Sequence, residues 1–311
     1  GMRIAVYEHS SVARDILKTI LRELGAEVIS LGRTDMFVPI DTEAVRQEDV
    51  EQASRWAKEY GFDAIVSTDG DADRPLIGDE RGHWLRGDIV GILCAHYLGA
   101  DIVVTPVSCN TAVEKSGLFG RVVRTKVGSP YVIAAMEEQV GMHPGKTVVG
   151  YEANGGFLLN SNIELHGKVL HALPTRDAVL PILALFSMAR QRGLRISQLQ
   201  SFLPSRFTAS NRLQNFSREN SLHLIEFFRN NISEAQKWLA PSSGRAVTVN
   251  ETDGFRIVFE NRDIVHLRPS GNAPELRCYA ESDSPDKAEL LCESCLQQMK
   301  EFPTFSALSV S

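Results

Sequence analysis

The chain has 311 residues, 43% of them apolar and 23% charged, which suits a globular protein of two or three domains with ample core. A formal net charge of −6 argues against a nucleic-acid or anionic-membrane surface as its main business. No apolar run approaches a membrane span, the N-terminus lacks a signal peptide's apolar core, and five cysteines, an odd count, fit reduced thiols in the cytoplasm. Gly1 ahead of Met2 reads as a tag remnant, which sets the native start at Met2.

Residues 3–7 read as a strand. Ser10 or Ser11 caps a helix with Val12, Ile16, Leu17, Ile20, Leu21 and Leu24 at helical spacing; Gly25 closes it, and residues 27–31 form the next strand. Strand–helix–strand order predicts a parallel sheet. A second helix is expected over 41–60, ended by Gly61, and Gly87-Asp88 precedes a third over 89–98. Between them lies Ile65-Val66-Ser67-Thr68-Asp69-Gly70-Asp71-Ala72-Asp73-Arg74, a buried-type strand breaking into alternating carboxylates.

In an extended loop Asp69, Asp71 and Asp73 project to one side, crowding three negative charges that a hard cation such as magnesium would relieve. Arg74 adds a planar fork suited to phosphate oxygens. With Glu80 the spacing imitates an EF-hand calcium loop, but that loop needs glycine where this chain has Arg74, and a helix where it has a strand. A ligand-free acidic surface turn is the remaining reading, disfavoured by period-two acids directly off a buried strand.

A similar cycle then repeats. Strands are expected at 101–105, 121–125 and 147–150, with helices opened by Asn110 or Thr111 and over 131–140, and Thr175 capping a long apolar helix over 176–192 closed by Gly193. The third strand ends in Tyr151-Glu152-Ala153-Asn154-Gly155-Gly156, where Glu152 suits sugar hydroxyls and a capped loop equally well. Lys126, before Gly128 at another strand end, suits an anion or plain solvent. Pro204 and the polar stretch to Arg218 read as a linker. A helix is expected over 221–230, alternating strands over 245–250, 255–260, 264–268 and 276–281, and a last helix from Ser284 or Asp286 through Lys300, with a frayed tail from Phe302.

Between the last two strands, Arg268-Pro269-Ser270-Gly271-Asn272-Ala273-Pro274-Glu275-Leu276-Arg277 gathers two guanidinium forks, backbone amides, a hydroxyl and an amide, a set suited to phosphate; a plain hairpin with surface ion pairs is the alternative. Cys292 and Cys295 form a Cys-x-x-Cys pair without a second ligand pair and read as structural. His9 suits an acid or base less well than a packed or solvated histidine.

These residues together resemble the α-D-phosphohexomutase superfamily, closest to its bacterial phosphomannomutase/phosphoglucomutase members. The metal loop matches as Asp69-Gly70-Asp71-Ala72-Asp73-Arg74, the phosphate loop as Arg268, Ser270, Gly271, Asn272 and Arg277, and the sugar loop as residues 150–156. Residues 125–128 resemble the family's Lys-Val-Gly segment at the active-site rim. The resemblance implies two similar α/β domains with mixed or parallel sheets, at 1–100 and 101–204, and a smaller α+β domain with an antiparallel sheet at 205–311, as the family's second, third and fourth domains. Asn154 stands where the family usually has serine, and Gly156 where it often has histidine. The family's first domain, with the phosphorylated serine, lies outside this chain. Thr208-Ala209-Ser210-Asn211 imitates its loop but lacks the histidine, and Ser210 reads as a linker or cap residue.

The resemblance further implies Mg²⁺-dependent phosphoryl transfer between the 1- and 6-positions of a mannose or glucose phosphate. Asp69, Asp71 and Asp73 would hold the ion, and Arg74 and Lys126 would act in catalysis. Glu152 and Asn154 would bind sugar, and residues 268–277 the phosphate not reacting. A separate serine-domain polypeptide is the implied partner. The alternatives are a catalytically inactive sugar-phosphate-binding or regulatory protein and a phosphatase with an aspartate nucleophile.

Overall fold

The first strand, β1 (Arg3–Tyr7), lies between β2 (Glu27–Leu31) and β3 (Ala64–Thr68), parallel to both. This is a computed structural model describing residues 1–165, 167–271 and 273–302. Asn272 and the expected frayed tail beyond Phe302 lie outside the described residues. The chain divides into two units, Gly1–Pro204 and Ser205–Ser311.

In the first unit, α1 (Arg14–Glu23) buries Leu17 and Leu21, one turn apart, against the sheet, while Val12, Ile16 and Leu24 stay exposed. The helix starts two residues later than a Ser11 cap requires, because Ser11 is engaged elsewhere: its hydroxyl meets Thr68 Oγ1 at 2.6 Å and accepts from the Ala13 amide. Helix α2 (Gln47–Tyr60) begins six residues later than expected; Asp41 instead turns the preceding loop by accepting from the amides of Glu43 and Ala44.

Immediately after the aspartate loop, β4 (Pro75–Gly78) returns antiparallel to β3, giving the order β2-β1-β3-β4. This four-residue strand escaped the sequence reading because it opens on proline, which a sheet tolerates at the first residue of an edge strand. Helix α3 (Gly87–Tyr97) follows.

The second sheet repeats the arrangement. β5 (Ile102–Pro106) lies between β6 (Arg121–Thr125) and β7 (Val148–Tyr151), parallel to both, and β8 (Phe157–Leu159) returns antiparallel to β7. Two helices, α4 (Ala112–Lys115) and α5 (Ser129–Met142), belong to its crossovers. The strand orders β2-β1-β3-β4 and β6-β5-β7-β8 correspond element for element. A small hairpin, β9 (Ile163–Leu165) with β10 (Lys168–Leu170), precedes β11 (Leu173–Asp177), which pairs with β8. Thr175 and Arg176 are therefore strand residues and not a helix start. Asp177 caps α6 (Val179–Arg192) by accepting from the Val179 and Leu180 amides.

Helix α3 is buried along nearly its whole length and packs on α6, β7 and β4, so one continuous core joins the two sheets. Its Gly91 lies against Tyr151: a Cβ there would sit 2.3 Å from the ring's Cγ.

In the second unit the expected linker is a strand. β12 (Phe207–Gln214) pairs along its full length with β16 (Glu275–Ser282), and Ser210 faces Tyr279 across that ladder. The sheet runs β12-β16-β15-β14-β13, all antiparallel, with β13 (Ala246–Asn250), β14 (Phe255–Phe259) and β15 (Ile264–Pro269). Leu276, Cys278 and Ala280 turn toward the core shared with α7 (Arg218–Asn230), α8 (Ile232–Leu239) and α9 (Pro285–Glu301). Ser217 caps α7 and Ser284 caps α9. Cys292 and Cys295 are buried free thiols on α9, the former donating to the Cys278 carbonyl, as a packing role requires.

Gly91→Ala gains about 1 kcal/mol of helix propensity but forces a methyl into Tyr151, an overpacking that costs about 1–3 kcal/mol. The variant is expected to be net destabilised, read as a lowered urea midpoint at unchanged m.

Candidate functional site

Two loops stand at corresponding places in the two sheets of the first unit. Residues 69–74 join β3 to β4, with Thr68 paired to Pro75; residues 152–156 join β7 to β8, with Tyr151 paired to Phe157. In the first loop the Asp69 amide donates to the Arg74 carbonyl and the Arg74 amide to Asp69 Oδ1. Ala72 takes the left-handed region at φ 67°, so the loop is a closed turn and not the extended segment the sequence spacing suggested. The three carboxylates still converge: one oxygen from each of Asp69, Asp71 and Asp73 lies within 4.8 Å of the others. Glu80 is not among them; it binds the Ser197 hydroxyl at 2.6 Å, which removes the EF-hand reading.

Asp69 is buried, Asp73 half-buried and Asp71 exposed. Burial first, and then the charges of Asp71 and Asp73, push the Asp69 carboxyl up to about 6, against the lowering effect of its bond from Arg74. Asp73 Oδ1 is buried without a hydrogen-bond partner. An all-carboxylate donor set with a spare buried oxygen fits a hard divalent cation. Arg74 lies alongside, its Nε 3.5 Å from both Asp69 Oδ2 and Asp73 Oδ1 and itself without a hydrogen bond.

In the second loop the Glu152 amide donates to the Gly156 carbonyl, and Asn154 Oδ1 accepts from the Gly156 amide at 2.9 Å. The Asn154 side-chain oxygen thus holds the turn, and its carbonyl accepts from Thr42 at 2.7 Å. Glu152 is 4% exposed, and burial raises its carboxyl while Arg176 and Arg74 act to lower it. Arg176 is the residue that the sequence reading missed. It pairs with Asp73 Oδ2 at 2.8 Å and lies 3.7 Å from Glu152 Oε2, joining the two loops.

Lys126 is exposed, its ammonium 5.8 Å from the centre of the Tyr131 ring, and it has no carboxylate partner among the described residues. His9 is fully buried with Nε2 on the Thr68 carbonyl at 2.9 Å, which marks it as packed.

In the second unit, Arg268 and Arg277 face each other across β15 and β16, and Arg212 on β12 faces Arg277 from the other side. Three guanidinium groups therefore share one row, where like charges are unfavourable unless neutralised. Asp253 pairs with Arg268 at 3.2 Å; Glu275 lies 3.5 Å from Arg212 and 3.9 Å from Arg277. The turn beyond the row buries Ser270, whose amide donates to the Glu275 carbonyl, and exposes Gly271. The sequence pattern places Arg212 in the linker, and only the strand pairing reveals its position.

Because the folded Asp69 carboxyl titrates above its ordinary value, its contribution to stability is full below about pH 4 and is lost as pH rises through about 6. Asp69→Asn should therefore melt above the parent at pH about 8 without divalent cation. It should show no further rise when the cation is added, whereas the parent does. Melting curves across pH, with and without Mg²⁺, check both.

Residues 1–82 match the family model described as phosphoglucomutase/phosphomannomutase, alpha/beta/alpha domain II, residues 86–207 that of domain III, and residues 230–298 that of the C-terminal domain. The chain is 50% identical over 298 residues to a phosphomannomutase of Salmonella muenchen, covering 96% of this chain and 62% of that protein. It is 47% identical over 292 residues to one of Sinorhizobium fredii, covering 94% and 61%. The fold is similar to a family protein of Burkholderia thailandensis (TM-score 0.71, 17% identity, 96% of this chain and 60% of that one). It is also similar to a putative phosphomannomutase of Thermus thermophilus (TM-score 0.68, 19% identity, 97% and 60%). The chain thus spans about three-fifths of the length of these relatives, and it belongs to the phosphoglucomutase/phosphomannomutase family, of which it carries domains II, III and the C-terminal domain.

Proposed function

We propose that this chain is the cation-, sugar- and phosphate-handling part of a phosphohexomutase acting on mannose or glucose phosphates, moving a phosphoryl group between the 1- and 6-positions. The observation that carries the reading is the convergence of Asp69, Asp71, Asp73 and Arg74 beside the buried Glu152, with Arg176 joining them. Phosphoryl transfer asks little covalent chemistry of the protein and much positioning and charge neutralisation, which is what these residues offer.

Asp69, Asp71 and Asp73 would hold Mg²⁺, and the chemistry such an ion would supply there is neutralisation of phosphoryl charge. Arg74, whose Nε is buried without a hydrogen bond, steadies the same group. Glu152, buried and held near Arg176, accepts hydrogen bonds from sugar hydroxyls common to both orientations of the substrate. The Arg268–Arg277 pair and Ser270 bind a substrate phosphate, Lys126 meets a substrate anion, and Asn154 keeps the sugar loop in shape. A phosphorylated serine in the family's first domain would supply the phosphoryl group. A cytoplasmic location accords with five free thiols, all buried.

Mixed with a polypeptide carrying the phosphorylated serine loop, the chain is expected to interconvert mannose 1- and 6-phosphates, followed by phosphorus NMR, and alone to show no turnover. Asp71→Asn should lower the mixed rate at least about 100-fold. No calorimetric binding of hexose phosphates at millimolar concentration with Mg²⁺ would overturn the reading. Binding without turnover in either setting would favour an inactive sugar-phosphate-binding protein.

A further inference from the structure

Arg176 sits where three independent features converge. Its strand β11 is irregular between Leu173 and Asp177 in its pairing with β8, and such irregularities re-aim side chains next to functional loops. Its backbone is anchored on either side, by Leu173 pairing with Leu159 and by Asp177, which pairs with Phe157 and caps α6. The aliphatic stem then crosses the sugar loop at Gly156, where a Cβ would lie 2.7 Å from Arg176 Cδ and 3.0 Å from Cγ. A side chain at 156 and the present course of Arg176 exclude each other.

The guanidinium at the end of this stem makes the 2.8 Å contact with Asp73 Oδ2 and stands 3.7 Å from Glu152 Oε2. With Oδ2 held, the oxygen that Asp73 has left is Oδ1, which is buried and lacks a hydrogen bond. Glu152 Oε2 is likewise buried without one. One planar cation thus holds a carboxylate of the cation cluster by a close contact and stands beside the carboxylate that would grip the sugar, near enough to act on its charge.

We propose that Arg176 is a positioning residue that sets Asp73 for the divalent cation and Glu152 for the sugar together, so that occupancy of one loop tightens the other. Gly156 is the bare backbone that admits it. The inference rests on the cation and sugar roles proposed above. It also has a sign that simple electrostatics does not share. Arg176→Gln removes a positive charge beside the cation cluster, which by Coulomb's law alone would strengthen cation binding; loss of orientation weakens it.

The test uses the full chain, with Mn²⁺ and then mannose 1-phosphate as calorimetric probes, and thermal melting to verify folding. The parent is expected to bind Mn²⁺ and to bind mannose 1-phosphate more tightly when Mn²⁺ is present, with the reciprocal effect equal in size. Arg176→Gln, Arg176→Lys and Gly156→Ala should each weaken Mn²⁺ binding about 10-fold and abolish the mutual tightening. Unchanged or stronger Mn²⁺ binding in Arg176→Gln, with a parent that binds both probes, overturns the positioning role alone. A parent that binds neither probe overturns the functional reading beneath it. Should Arg176→Gln not fold, the lysine variant, which keeps the charge, decides the matter, with Gly156→Ala, which crowds the stem and also approaches Asn154 Oδ1, as a second reading.

Discussion

Three carboxylates held at the end of a fully buried strand repel one another, and the first unit is built to tolerate that repulsion. The strand β3 lies between β1 and β4, so Asp69 cannot retreat to solvent without undoing sheet pairing on both sides. Two arginines answer from different places: Arg74 from the loop itself and Arg176 from the far repeat. Neither saturates the cluster, as the bare Asp73 Oδ1 shows. Local stability is given up for a site of concentrated negative charge, a common arrangement where a protein must bind rather than merely fold.

The correspondence of strand order in the two sheets gives this arrangement its economy. The same hairpin connection occurs twice, once filled with aspartates and once with a buried glutamate and glycines. Similar backbones thus carry opposite tasks, one gathering charge and the other admitting a neighbour's side chain.

Much of this was legible in the chain itself. The parallel strands show as short β-branched runs, and the aspartate loop as acids at period two directly after one of them. Arg176 was not legible, because Thr175 followed by an apolar run looks like a helix start, and only pairing with β8 makes those residues a strand. Arg212 was hidden for a related reason: β12 is a polar, partly exposed edge strand whose identity rests on its partner β16 and not on its own pattern. What local periodicity cannot carry is the identity of a partner distant in sequence, and both arginines owe their place to one.

Helix α3 lies at the hinge of the repeats in sequence, yet it is buried by both. It packs on β4 of the first sheet and on β7 and α6 of the second, while Asp88 at its start accepts from the Asn110 amide. A cut at residue 100 would therefore strip the second sheet of the helix that covers it and leave that helix's apolar surface bare on the other fragment. With one core in common, the two repeats are expected to unfold together rather than as freestanding modules.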